Sequence, residues 1–132
     1  MVSKRAIGQK HVNEAMKVYI SRRYRVWKPG NKAIFIGPGR AISASQDIAQ
    51  CFDFMAWNDD NLDFVQVKTN VSDVSKAKRW IEQQKLPEFR IVDYVILRRI
   101  KGHPYYFDKW VLVTGSNPLR QRWWSVGGWG GL

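Results

Sequence analysis

The chain has 132 residues, 45% apolar and 25% charged, which suits one folded domain and argues against general disorder. Its 22 Lys and Arg oppose 11 Asp and Glu, a formal +11 that favours a polyanionic partner. No stretch approaches the roughly 18 apolar residues of a transmembrane helix, the N-terminus lacks a signal-peptide core, and one cysteine with two histidines leaves neither an internal disulfide nor a Cys/His zinc cluster, so a cytoplasmic protein meeting nucleic acid and no membrane is expected.

Residues 7–24 hold no Pro and one Gly, and Ile7, Ala15, Val18 and Tyr19 fall on one helical face, so a first helix is predicted there. Residues 24–27 and 33–36, stopped by Pro29-Gly30 and by Gly37-Pro38-Gly39, read as short strands. Residues 52–57 and 62–69 are apolar runs joined by Asn58-Asp59-Asp60-Asn61, which predicts a β-hairpin. Cys51 lies in the first run beside Phe52 and Phe54 and reads as a buried thiol.

Ser72 or Asp73 is placed to cap a second helix running to about Gln84, with Val74, Ala77, Trp80 and Ile81 toward a sheet and Lys76, Lys78, Arg79 and Lys85 outward. Residues 91–97 and 106–113 flank Gly102-His103-Pro104 and read as a further hairpin. A single domain over residues 1–119 is followed by a Trp- and Gly-rich tail over 120–132. In that tail Arg120 and Arg122 stand beside Trp123, Trp124 and Trp129, a composition that suits base stacking, docking on the sheet or a dimer interface.

Asp53 interrupts an apolar strand, where an unpaired carboxylate is costly to bury. Across the predicted hairpin, Gln66 and Lys68 share one face because strand side chains alternate. Such a cluster suits phosphodiester hydrolysis: Asp53 and the Gln66 carbonyl offer hard oxygen ligands for Mg2+ or Mn2+, and Lys68 positions the water or neutralises developing charge. A buried Asp–Lys pair that fills the sheet explains the same residues equally well. Glu14, the one acidic residue among ten Lys and Arg in the first forty positions, is either a third metal ligand or the helical partner of Lys10 or Lys17. Asp47 is a further ligand candidate, although a helix cap suits it better. Asp59, Asn61 and Asp63 imitate a calcium loop that lacks its Gly and its terminal Glu, and His11 and His103, without a nucleophile partner, read as surface or substrate contacts.

Asp53 followed by Gln66-Val67-Lys68-Thr69 resembles the D…(E/Q)xK signature of the PD-(D/E)xK restriction-endonuclease-like superfamily. The layout over residues 8–97, a first helix with Glu14, a basic aromatic strand, then the Asp and QxK strands, is similar to archaeal Holliday junction resolvases and type IV restriction endonucleases. No proline precedes Asp53, and Gln66 stands where Glu is commoner, removing one negative charge. The resemblance implies an α/β fold, a mixed central sheet flanked by helices in α-β-β-β-α-β order. It also implies a magnesium-dependent DNA endonuclease with Asp53, Gln66, Lys68 and Glu14 in the site and Asp53, Gln66 and Glu14 on the metal. Lys10, Arg22, Arg23, Arg25, Lys76, Lys78 and Arg79 are the expected phosphate contacts, and one site per chain implies a homodimer for cutting both strands. The alternative is a nucleic-acid-binding module that kept the fold and lost catalysis.

Overall fold

The computed structural model describes residues 3–37, 40–45, 48, 51–87, 89–114 and 121–132, so Asp47 lies outside the described residues. Ser3 opens helix α1 (Lys4–Ser21) by accepting the Ala6 N–H at 3.1 Å, which satisfies one of the donors a helix start leaves over. The helix ends before the predicted residue 24 because Arg23 takes a left-handed φ of 67°. The Arg23 N–H then reaches Ile20 O and the Tyr24 N–H reaches Tyr19 O, both at 3.0 Å, the paired closure usually built around glycine. Val12, Ala15, Val18 and Tyr19 form its buried face, while Ile7, expected on that face, is 36% exposed.

Among the described residues eight strands follow or intervene: β1 (Arg25–Trp27), β2 (Asn31–Gly37), β3 (Arg40–Ser45), β4 (Phe54–Trp57), β5 (Leu62–Lys68), β6 (Val92–Arg99), β7 (Tyr106–Thr114) and β8 (Gln121–Gly130). Helix α2 (Val71–Gln83) connects β5 to β6. Six strands form one mixed sheet in the order β1-β4-β5-β6-β7-β8, and β2 with β3 forms a separate two-stranded ribbon. Among the described strands only β5 and β6 run parallel within the large sheet, and α2 supplies the crossover that parallel pairing requires.

The protein is therefore α/β, but five strands separate the helices and three follow α2, so the expected α-β-β-β-α-β order does not hold for the whole chain. Two strands account for most of the difference. Strand β3 reads Arg-Ala-Ile-Ser-Ala-Ser, with too little apolar alternation to stand out. Strand β8 occupies the segment read as a tail, its weak strand-forming glycines held by pairing with β7 from Tyr106↔Gly130 to Thr114↔Gln121. Gly130 is required there: a Cβ would lie 2.1 Å from Tyr105 O.

The two predicted hairpins form. Asn58 Oδ1 accepts the N–H groups of Asp60 and Asn61 at 2.9 and 2.8 Å and so closes the β4–β5 turn, and β6 pairs antiparallel with β7 beyond Gly102 at φ 79°. Asn70, not Ser72 or Asp73, is the N-cap of α2, and it makes no side-chain cap bond. Helix α1 covers one sheet face with Val65, Val67, Val95 and Leu97, and α2 covers the other with Tyr94, Ile96 and Leu112. Each fully buried side chain of this size contributes roughly 1.5–3 kcal/mol, so both faces are anchored. Strand β5 consequently sends Asp63, Val65 and Val67 toward α1 and Phe64, Gln66 and Lys68 toward α2. No described helix is long and apolar enough to cross a membrane.

Candidate functional site

Asp53 stands just before β4 and is fastened to β5 twice. Its N–H donates to Val65 O and its carboxylate Oδ2 accepts the Val67 N–H, each at 2.8 Å, so backbone and side chain bracket Gln66. Oriented to suit its neighbours, the Gln66 amide donates to Cys51 O and accepts from Lys68 Nζ at 3.2 Å. Gln66 and Lys68 thus touch, and Asp53 reaches the backbone between them. The amide hydrogen bond fixes the position of the carboxylate.

Gln66 and Lys68 line a pocket of about 290 Å3 under α2, together with Cys51, Lys76, Ala77, Trp80 and Ile81. Cys51 is buried, as its apolar neighbours predicted. Trp80 departs from expectation: it is 46% exposed at this pocket and does not join the buried stripe of Val74, Ala77 and Ile81. Those three residues at i, i+3 and i+7 already fill the strip facing the sheet, and Trp80 sits at its border.

Glu14 belongs to the opposite side. It is 4% exposed under α1, where Oε2 lies 3.3 Å from Arg99 Nη1 and Oε1 accepts the Tyr105 N–H at 3.2 Å. The expected helical pairing with Lys10 or Lys17 is replaced by these long-range partners. Among the described residues no group of three or more His, Cys, Asp or Glu side chains is placed to hold a metal. Asp53 and Gln66 remain one charged and one neutral oxygen donor. Carboxylate and amide oxygens are the hard donor types that magnesium takes, commonly while keeping several waters.

The basic candidates do not form one patch. Lys10 is exposed on α1, Arg23 and Arg25 are exposed around the start of β1, and Lys76 and Arg79 are exposed on α2 across the sheet. Arg22 donates to Gly130 O at 2.9 Å and lies 4.8 Å from the Trp129 ring centroid, and Lys78 Nζ lies 5.0 Å from that of Trp110. These two cations hold strands β7 and β8 as well as carrying charge.

Three polar side chains on the α1 side take places that the sequence reading did not give them. His11 is 7% exposed, not a surface contact, and its Nδ1 lies 2.9 Å from Thr69 Oγ1; burial first, then the Arg99 charge, lowers its pKa. Asp63, from the calcium-like run, is 3% exposed and accepts the Tyr19 hydroxyl at 2.9 Å; burial raises its pKa. Burial lowers that of Lys109, while nearby Asp63 and Asp93 oppose the shift. The clue in the sequence was an aspartate and a histidine at apolar-face positions. Comparison of the chain with known protein families, curated proteins and solved structures finds no match.

Proposed function

We propose that this protein is a metal-dependent nuclease that hydrolyses phosphodiester bonds in DNA, with Asp53, Gln66 and Lys68 as its reacting cluster. The carrying observation is the Asp53 carboxylate seated on the Val67 amide, in the strand stretch whose Gln66 and Lys68 line a pocket with Lys76. A second support is topological. Within the large sheet and its helices, α1, β1, β4, β5, α2 and β6 follow one another in α-β-β-β-α-β order, with the β2–β3 ribbon inserted and β7 and β8 appended.

Asp53 and the Gln66 carbonyl would hold magnesium or manganese, which supplies Lewis acidity and an acidified water when bound. Lys68, at hydrogen-bond distance from Gln66, places positive charge where the phosphate gains negative charge, and Lys76 extends that field. The Val67 amide keeps Asp53 aimed without a moving partner. Glu14 is left out of the metal set because it pairs with Arg99 under the other sheet face. A second copy of the chain would be needed to cut both strands of a duplex together.

One observation favours a second reading, a binding module without catalysis: both ends of the Gln66 amide are already satisfied, by Cys51 O and Lys68 Nζ. Incubating the protein with single-stranded, duplex and branched DNA in magnesium, manganese or EDTA separates the two. A nuclease cuts with metal only, and Asp53→Asn lowers cutting by at least roughly 100-fold, on the order of 3 kcal/mol in barrier, with DNA affinity kept or raised. Binding with no cutting under any metal establishes the module instead.

A further inference from the structure

Helix α2 places a large, half-exposed aromatic side chain beside the proposed reacting cluster. Trp80 is 46% exposed, lines the same pocket as Gln66 and Lys68, and lies one helical turn from Lys76, which also lines it. Val74, Ala77 and Ile81 on the same helix are buried, so the half-exposed indole stands at the border of the buried stripe and faces the pocket. The pocket of about 290 Å3 has two lysines on its wall and the sheet as its floor.

We propose that Trp80 is a stacking platform for an unpaired nucleobase, and that Lys68 and Lys76 take the phosphates flanking that base. This rests on nucleic acid being the partner, and it names the substrate class: strands carrying at least one unpaired nucleotide beside the cleaved bond. The reason is geometric. Inside a duplex both faces of a base are covered by its neighbours, so only an unpaired or extruded base has a π-face to offer an indole. Residues i and i+4 of a helix project on the same side, so a base stacked on Trp80 brings its backbone within reach of the Lys76 ammonium. Charge complementarity points the same way, since the side chains beside Trp80 in the pocket include the two cations Lys68 and Lys76.

The test is fluorescence anisotropy with labelled single-stranded, blunt duplex and gapped-duplex oligonucleotides in EDTA, so that cutting plays no part. Trp80→Leu keeps an apolar side chain and removes the π-face; it should weaken single-stranded and gapped binding by roughly 5- to 100-fold and change duplex binding less than about 2-fold. Trp80→Phe should restore most of the loss. Lys76→Gln should weaken all three substrates and lower the salt dependence. Equal losses on every substrate, no loss on any, or no binding of nucleic acid by the wild type overturns the proposal. A selective Trp80→Leu loss in a protein that cuts nothing with any metal overturns the nuclease reading alone.

Discussion

The two faces of the sheet handle polar groups in opposite ways. Under α1, Glu14 meets Arg99, Asp63 meets the Tyr19 hydroxyl, and His11 meets Thr69, all with little access to water. Under α2, Gln66, Lys68, Lys76 and Trp80 line an open pocket. Buried ionic groups are held by partners and contribute to stability only as complete sets, whereas groups on an open pocket wall are available to a ligand at little structural cost. The difference sorts this chain's charged residues into those that hold it together and those able to act.

The largest effect should come from Glu14→Ala, which leaves Arg99 nine-tenths buried and without its carboxylate. Destabilisation of about 3–5 kcal/mol is expected in urea titrations. A loss under 1 kcal/mol would return Glu14 to the candidates for metal ligation. Tyr19→Phe is next: it removes the hydroxyl donor of a buried aspartate and should cost about 1–3 kcal/mol.

His11 gives a pH signature to the closed face. Its pKa is lowered in the fold, so below the unfolded value of 6.5 the unfolded chain takes up the proton more readily. Stability from this group is complete above pH 6.5 and is lost as pH falls through the lowered folded value. Melting temperatures at pH 7.5 and pH 5, compared for wild type and His11→Gln, should show a steeper acid decline in wild type. Parallel profiles would mean that His11 is not the responsible group. Asp63, whose pKa is raised, pulls the other way as pH falls and is common to both proteins.

The smallest effects belong to the open face. Lys78→Ala loses a ring contact with Trp110 and should cost about 0.5–1 kcal/mol. Lys68→Ala and Trp80→Leu should stay within about 0.5 kcal/mol of wild type in stability while changing what the protein binds or cuts. A large stability loss in either would place those residues with the closed face.

Periodicity carried the reading where an element has a strong one. The alternation in β5 set Gln66 and Lys68 on one face, and Asn58-Asp59-Asp60-Asn61 marked the turn before it, because both signals are local. Helix α2 was legible for the same reason, apart from Trp80, since a hydrophobic stripe shows its centre better than its border. The strands β3 and β8 were missed because their Ala, Ser and Gly content says little until a neighbouring strand supplies hydrogen bonds.

By itself the sequence determined the positive charge, the two helices, the two hairpins and the placing of Gln66 and Lys68 on one face, all of which depend on composition or on residues close along the chain. Only the tertiary structure decided that Glu14 binds Arg99, that Asp63 lies beneath Tyr19, that His11 is buried beside Thr69 and that Trp80 opens onto the pocket. The physical reason is that a charged or aromatic side chain acquires its role from whatever the opposite element brings to it. That partner is set by how helices and strands pack, and no spacing within one element contains it.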